Sequence, residues 1–313
     1  MNKSKLSIYP FLILVILALS ASAQSTDSLL NTLDSAQKYN KVEATFKSTH
    51  LVLSNTTETQ KEHDLAFIIT HHFGDIGGKF GGSHTLYGLD VATDLYIGFD
   101  YGITDKLTIG IGRSKNDELF NLLVKQKILQ QTTDGIPLNL TLFVQGAIAA
   151  RKPFANEYDN YNNRLSYLIQ PIISRKFSQS LSLQIMPGYL IRPATTDVLD
   201  TKNLFTIGLA GRLKLTKRLS FIADYTIING LSRPNQLTIP QYNPLGMGLE
   251  IETGGHVFAL NFMNAEHIND NSFLADTKKS WTKGGVRFGF SISRNFSLFK
   301  SKNKNPNTKS TIY

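Results

Sequence analysis

The stretch from Asp94 to Ser114 constrains the fold more than any other part of the chain, because its apolar side chains recur at every second position. The apolar members are Leu95, Ile97, Phe99, Tyr101, Leu107, Ile109 and Ile111. A period of two with one short polar break predicts two strands joined by a tight turn. The other face carries mostly Gly, Thr and Asp, which suit a water-facing or tightly packed barrel interior. The stretch therefore predicts a hairpin of a transmembrane β-barrel.

The N-terminus predicts export. Lys3 and Lys5 precede an apolar run over residues 11–19, and Ala21-Ser22-Ala23 forms a small-x-small cleavage site, so we expect a signal peptide over residues 1–23. A membrane anchor helix is the alternative, but the run is about half of the ~20 residues that a spanning helix needs. No other stretch approaches a spanning helix, so a place in a membrane requires a closed barrel. We expect the mature chain in the outer membrane.

Composition excludes several classes of protein. The chain has no cysteine, which rules out disulfides and cysteine-ligated metals. It has 33 basic and 24 acidic side chains, and loss of the signal peptide leaves 31 basic ones. Such an excess can indicate nucleic acid binding, but here the positive charges are spread through strands, turns and the C-terminal tail. We expect outer-membrane lipid as their partner, and no nucleic acid.

Twelve strands are predicted from Asp64 onward, which gives an all-β, antiparallel transmembrane barrel over residues 64–299. The first is 64–73, the next two form the hairpin within 94–114, and the others lie at about 119–130, 137–149, 164–177, 181–192, 203–214, 218–229, 246–252, 256–263 and 284–294. Residues 24–63 form a predicted leader, and 300–313 a basic polar tail. Within the leader, Val42–Leu53 is a strand candidate that we expect to be periplasmic, to plug the barrel, or to extend it without spanning.

A weak repeat supports hairpin units of about 38 residues. An aliphatic residue or Phe, a Ser or Thr, two variable residues, a Leu or Phe, and a Ser or Thr occur in copies that begin at positions 103, 177, 215 and 292. Outer-membrane barrels have short periplasmic turns and longer external loops. We therefore place the short breaks near 104, 134, 179, 216 and 254 in the periplasm, and the longer ones, 74–90, 150–163, 193–202, 230–245 and 264–283, outside.

Polar and charged residues on the non-lipid side of the strands form a predicted set that lines the lumen. It comprises His72, Asp100, Lys125, Lys127, Arg212, Asp224, Glu250, Glu252 and Arg287. Charges of both signs in a narrow barrel should pair across it, because unpaired charge away from bulk water is costly. Two interpretations remain open, a polar channel lining and a structural salt-bridge network that fills the interior.

No pattern supports a metal, a cofactor or a catalytic centre. His71 and His72 are adjacent, so in a strand they point to opposite faces. Ser83 and His84 lie in one loop with two aspartates, but a catalytic triad is recognised by geometry and not by sequence proximity. The glycine run over residues 77–82 lacks a Gly-Lys-Ser/Thr ending, so loop flexibility explains it better than phosphate binding. We expect no enzyme activity.

Several separated motifs occur in an order that resembles a known family. They are His72-Phe73-Gly74-Asp75, Tyr87-Gly88-Leu89-Asp90, Tyr101-Gly102-Ile103-Thr104-Asp105, Gly254-Gly255-His256-Val257-Phe258 and Gly289-Phe290-Ser291-Ile292-Ser293-Arg294. Together they resemble the outer-membrane β-barrels of Bacteroidota catalogued as domain of unknown function 5777, over about residues 42–299. The resemblance implies a barrel in the outer membrane, and it implies no activity, ligand or catalytic residue. The basic tail departs from barrels that end on an aromatic residue.

The leading functional prediction is a narrow pore or transport protein for small solutes. The alternative is a barrel with a filled lumen that acts as a structural or partner-binding platform through its external loops, with an unidentified protein as its partner. A soluble periplasmic barrel or sandwich is disfavoured, because apolar faces recur on nearly every strand.

Overall fold

The computed structural model describes residues 41–299, apart from 43, 153–159, 196 and 235. The predicted signal peptide (1–23), the first part of the leader (24–40) and the basic tail (300–313) lie outside the described residues. Among the described residues, no helix combines the length and apolar character needed to cross a membrane.

Twelve antiparallel strands form one closed barrel in the described part of the chain. Each strand pairs with its sequence neighbours, and the first closes against the last, with Asp64 opposite Ser297 and His72 opposite Gly289. The strands are β1 Asp64–Asp75, β2 Ala92–Thr104, β3 Leu107–Ser114, β4 Phe120–Leu129, β5 Asn139–Ile148, β6 Leu165–Lys176, β7 Leu181–Ile191, β8 Asn203–Lys214, β9 Leu219–Ile227, β10 Leu245–Thr253, β11 His256–Met263 and β12 Arg287–Ser297. The predicted fold class and strand number are confirmed.

The alternation along each strand separates an apolar outer face from a polar inner one. In β2, Asp94 and Asp100 are buried inside the barrel, whereas Ile97 and Phe99 point outward and are 41% and 40% exposed. Because the sheet closes on itself, the backbone of every strand has a partner on both sides, as the hydrocarbon core of a membrane requires. An apolar outer face of this kind suits contact with lipid tails.

Three tight turns explain the sequence repeat. In each, a side-chain hydroxyl accepts a hydrogen bond from the backbone N–H three residues later, at 3.0–3.1 Å. The hydroxyls belong to Thr104, Ser178 and Thr216. Ser and Thr favour this local bond, which stabilises a turn without a glycine. The fourth copy, which begins at position 292, lies inside β12 and forms no turn, so the hairpin interpretation of that copy is wrong.

Residues 44–61 form a segment that lies inside the barrel, and we call it the N-terminal hairpin. The chain reverses at its tip, where the Leu51 N–H donates to the Ser54 carbonyl oxygen at 2.8 Å and His50 bridges Asn55. The side chain of Phe46, nearer the short-turn end, joins a core cluster that includes Phe143 of the barrel wall. Of the three alternatives left open for Val42–Leu53, the structure therefore has the plug.

The loop between β11 and β12 folds into the lumen from the opposite end. Its only α-helix among the described residues is α1, Asp270–Phe273, and Asn269 caps that helix by accepting from the Asn271 N–H. Phe273 and Leu274 are buried in the same core cluster as the tip of the N-terminal hairpin. The barrel is therefore closed from both ends by its own chain.

Candidate functional site in the barrel lumen

The tip of the N-terminal hairpin is bound by one carboxylate of the wall. Oδ2 of Asp224 in β9 accepts hydrogen bonds from the Leu53 N–H at 2.8 Å, the Ser54 N–H at 3.0 Å and the Ser54 hydroxyl at 3.0 Å. A carboxylate that accepts several donors holds a turn in a defined orientation, because each of these bonds is charge-assisted. Asp224 therefore sets the depth to which the hairpin enters.

Two lysines of β4 also bind the hairpin. Lys125 is fully buried, and its ammonium group donates to the Thr49 carbonyl oxygen at 2.7 Å. Lys127 lies nearer the short-turn end, 3.5 Å from a carboxylate oxygen of Glu58. Both predicted lumen lysines thus contact the chain segment that occupies the lumen.

Neutral polar side chains complete the attachment of the hairpin to the wall. Each wall side chain reaches the hairpin within 2.7–2.9 Å. The pairs are Thr57 with Ser174, Thr45 with Asn139 and with Ser182, Thr57 with Thr141, and Asn55 with Gln184. The wall residues of these pairs belong to β5, β6 and β7, so these contacts all lie on one side of the barrel.

A buried ion-pair cluster lies at the short-turn end of the lumen. Arg212 of β8 contacts Glu250 at 2.7 Å and Glu252 at 2.6 Å, and both acids belong to β10. Lys47 of the hairpin lies 3.4 Å from Glu252. The cluster ties two strands and the hairpin together, and its charges balance to zero.

A second cluster holds the long loop. Arg287 of β12 lies 3.1 Å from Asp75 of β1 and 3.1 Å from Glu266 of the loop. Lys279 contacts the same Asp75 at 2.9 Å, and His72 Nδ1 lies 3.1 Å from the Glu266 carbonyl oxygen. These contacts fasten the loop to the seam where the barrel closes.

All nine lumen-lining candidates point to the inside of the barrel, but they do not form one network across it. Arg212 pairs with the acids of β10, and Arg287 pairs at the β12–β1 seam. Asp100 differs from the rest, because it is 1% exposed and neither carboxylate oxygen has a hydrogen-bond partner among the described residues. The expectation of pairing across the barrel is wrong, because the hairpin occupies the space between opposite walls.

Sequence reasoning missed the hairpin side of these contacts, including Thr49, Ser54 and Glu58. One available signal was strand parity, which left Val42–Leu53 without a place in the barrel. Its partners could not be found from the sequence, because they lie on strands 69 to 171 residues further along the chain.

Three cavities follow one another along the lumen. One of about 260 Å³ lies at the short-turn end, a central one has about 50 Å³, and one of about 440 Å³ lies at the long-loop end. Ser48 of the hairpin lines both of the first two cavities. Asp270 lines the central cavity and Asn271 lines the outer one, so α1 separates them. None of these three cavities runs through the barrel.

The outer cavity is lined by both polar and apolar side chains, and a histidine–aspartate pair lies in its wall. His267 Nε2 lies 3.3 Å from Asp276 Oδ2, which also accepts from the Lys278 ammonium at 2.7 Å. Burial alone would lower the pKa of His267, but Asp276, Glu266 and Asp94 outweigh it and raise the pKa. Burial alone would raise the pKa of Asp276, but His267 and Lys278 hold it well below its usual range. Each member of the pair therefore favours the charged form of the other.

A second charged group fixes the loops around the outer cavity. Asp200 accepts from Arg192 at 2.5 Å and from both Nε and an NH2 group of Arg233, at 2.9 and 2.8 Å. Burial alone would raise the pKa of Asp200, but the two guanidinium groups lower it. Three loop segments thus meet at one carboxylate, since Arg233 also donates to the Ala275 carbonyl oxygen of the long loop.

In the part of the chain that the structure describes, no group of three or more His, Cys, Asp or Glu side chains could hold a metal ion.

Comparison with protein families decides the class of this barrel. Residues 46–296 match the model of a family described as a membrane-bound β-barrel domain, domain of unknown function 5777. The chain belongs to this family. As a membrane-bound β-barrel, it carries its apolar outer face against lipid, which excludes the soluble alternative. The match covers the N-terminal hairpin from Phe46 onward as well as the barrel wall.

Two porins and one further outer-membrane protein are among the solved structures to which this membrane-bound β-barrel is similar. The NanC porin is 9% identical with a TM-score of 0.45, and the match covers 75% of this chain and 100% of that one. The KdgM porin is 7% identical with a TM-score of 0.45, covering 74% and 99%. Omp33 of Acinetobacter baumannii is 9% identical with a TM-score of 0.38, covering 75% and 99%. These similarities carry no argument about function. No curated protein matches in sequence.

Proposed function

We propose that this protein is an outer-membrane channel for small polar solutes that rests closed, with its own N-terminal hairpin as the plug. The observation that carries the proposal is the row of three cavities, with Ser48 of the hairpin lining the first two and α1 lying between the second and the third. The proposal assigns the chain no catalytic activity.

The attachment of the hairpin suits a plug that can leave. Beside the apolar contacts of its buried side chains, it is held by hydrogen bonds and ion pairs to the wall, such as those to Asp224, Lys125 and Lys127. A hydrogen bond stabilises by only about 0.5–1.5 kcal/mol net when water can replace the partner. The hairpin continues into β1 through Glu62 and His63 alone, so its departure leaves all twelve strands paired.

If the hairpin left the lumen, the cavity at the short-turn end and the central cavity would join, since Ser48 of the hairpin lines both. Its departure would also uncover Lys125 and Lys127, whose partners Thr49 and Glu58 belong to the hairpin. Two lysines facing a narrow aqueous path attract anions. The opened channel should therefore prefer small anions.

The test is the conductance of single proteins in planar lipid bilayers. Deletion of residues 44–61 should turn a mostly silent protein into a steadily conducting one, while deletion of residues 24–40 should leave it silent. Within the deletion variant, replacing Lys125 and Lys127 by Gln should shift selectivity toward cations. A folded deletion variant that never conducts would refute the channel, and unchanged selectivity would remove the two lysines from the path.

A second candidate is the filled barrel that serves as a platform for its external loops. The observation that favours it is the apolar part of the hairpin, since Phe46 and Leu51 are buried in one continuous cluster with Phe273 of the long loop. A lumen that is part of the hydrophobic core stabilises the fold and conducts nothing. In that case, deletion of residues 44–61 should prevent folding, as judged by loss of the mobility difference between unboiled and boiled samples.

A further inference from the structure

A hollow on the outer wall lies apart from the lumen. It has a volume of about 700 Å³ and spans strands β2 to β6. Gly146 of β5 faces outward in the hollow, because its partners on the neighbouring strands are Leu122 and Tyr167, which also face outward. The absence of a side chain at Gly146 leaves a depression between these two residues.

The sides of the hollow are apolar. They are formed by side chains that are 40–58% exposed on the outer face of the barrel, including Phe99, Ile111 and Phe120. In a membrane-bound barrel this surface meets hydrocarbon, so the hollow offers a fitted site for an acyl chain rather than for a polar molecule.

One charged residue lines the hollow. Arg113 pairs with Phe120 across β3 and β4, and its guanidinium carbon lies 5.5 Å from the centroid of the Phe120 ring. It is the residue before the end of β3 at the long-loop end, where headgroups meet the barrel. Glu118 is 3.9 Å away and largely exposed, so it neutralises the arginine only weakly.

We propose that this hollow binds one anionic membrane lipid, with an acyl chain over Gly146 and a headgroup phosphate at Arg113. The combination of an apolar hollow with a guanidinium group at its end matches both parts of such a lipid, because arginine pairs with phosphate through two parallel hydrogen bonds.

Native mass spectrometry can test the site. The full-length protein is reconstituted in vesicles of equal parts phosphatidylglycerol and phosphatidylethanolamine, then released gently and weighed. We expect one retained lipid per barrel, with phosphatidylglycerol preferred. R113Q should reduce that preference about fivefold, the effect of one basic residue near a headgroup, and added salt should reduce it in the wild type.

The control for charge is R175Q. Arg175 lies at the short-turn end, with its guanidinium carbon 5.2 Å from the centroid of the Phe177 ring, so it repeats the local geometry away from the hollow. This variant should keep the preference. Equal preferences in R113Q and R175Q would overturn the role of Arg113.

G146L should fill the hollow and abolish retention of either lipid. The matched control is A223L, which enlarges a small outward-facing residue of β9 elsewhere on the barrel. Retention in G146L equal to that of the wild type would overturn the proposal, as would a wild type that retains no lipid or a dimer that G146L dissociates. If G146L does not fold, as judged by the mobility of unboiled and boiled samples on a gel, the comparison of R113Q with R175Q tests the proposal by itself.

Discussion

The Asn55 side-chain amide donates to both carboxylate oxygens of Asp270, at 3.1 and 3.2 Å. Asn55 belongs to the N-terminal hairpin and Asp270 begins α1, so this contact joins the segment that enters from one end of the barrel to the loop that enters from the other. The two closures of the lumen are therefore coupled, and release of one weakens the other.

Loss of this contact should loosen both closures. We expect N55A to lower the free energy of unfolding by about 1–3 kcal/mol, because it leaves a buried carboxylate without its amide donor. Urea unfolding in vesicles measures the change, and proteolysis of the hairpin should quicken. N162A, at an exposed loop position, is the control and should change stability little. Equal stability of N55A and N162A would show that the contact does not couple the closures.

The ion-pair cluster at Arg212 should matter more for stability than any exposed pair. R212M leaves Glu250 buried without its cation, and breaking such a pair costs about 3–5 kcal/mol. E118Q breaks the exposed pair with Arg113, and we expect a change within about 1 kcal/mol. Urea unfolding of both variants provides the comparison. A small loss in R212M would mean that water compensates Glu250 in the lumen.

The turn hydroxyls should contribute individually to hairpin stability. T104V and T216V each remove a side-chain acceptor from a tight turn, and we expect each to cost about 0.5–1.5 kcal/mol of unfolding free energy. T104S and T216S should restore it, since serine keeps the hydroxyl. S293A tests the fourth copy of the repeat, which lies within β12, and should show no such loss.

The contact between His267 and Asp276, which anchors the loop between β11 and β12, should weaken at alkaline pH. The pKa of His267 is raised above its ordinary value of 6.5, so the stabilisation by its contact with Asp276 is complete below pH 6.5 and is lost as the pH rises through the raised pKa. Hydrogen exchange of residues 264–276, corrected for intrinsic rates, should be faster at pH 9 than at pH 6. H267Q should remove this difference.

The control for the pH effect is H84Q, because His84 lies exposed in another loop. It should leave the pH dependence unchanged. At the acid end the contact should persist, because the pKa of Asp276 is held well below its usual range. An exchange rate that does not depend on pH in the wild type would remove His267 as an anchor of the loop.

The wall of the barrel could be predicted from the sequence because its signals are local. Alternation along Asp94–Ser114 separates lipid from lumen one residue at a time, and a turn hydroxyl such as Thr104 needs only the next three residues. The same alternation predicts that the side chain of Arg212 points inward. It does not predict that Arg212 pairs with Glu250 and Glu252, since these residues lie two strands away in the sheet.

By itself, the sequence determined a closed barrel of twelve strands and which side chains point inward. The period of two assigns each side chain to one face of the sheet, and in lipid the sheet must close so that every backbone group is paired. Only the tertiary structure decided what fills the lumen. The place of the N-terminal hairpin depends on Asp224 and Lys125, which approach it only after the barrel has closed. Contacts between distant segments of the chain are a property of the folded arrangement, and no local pattern encodes them.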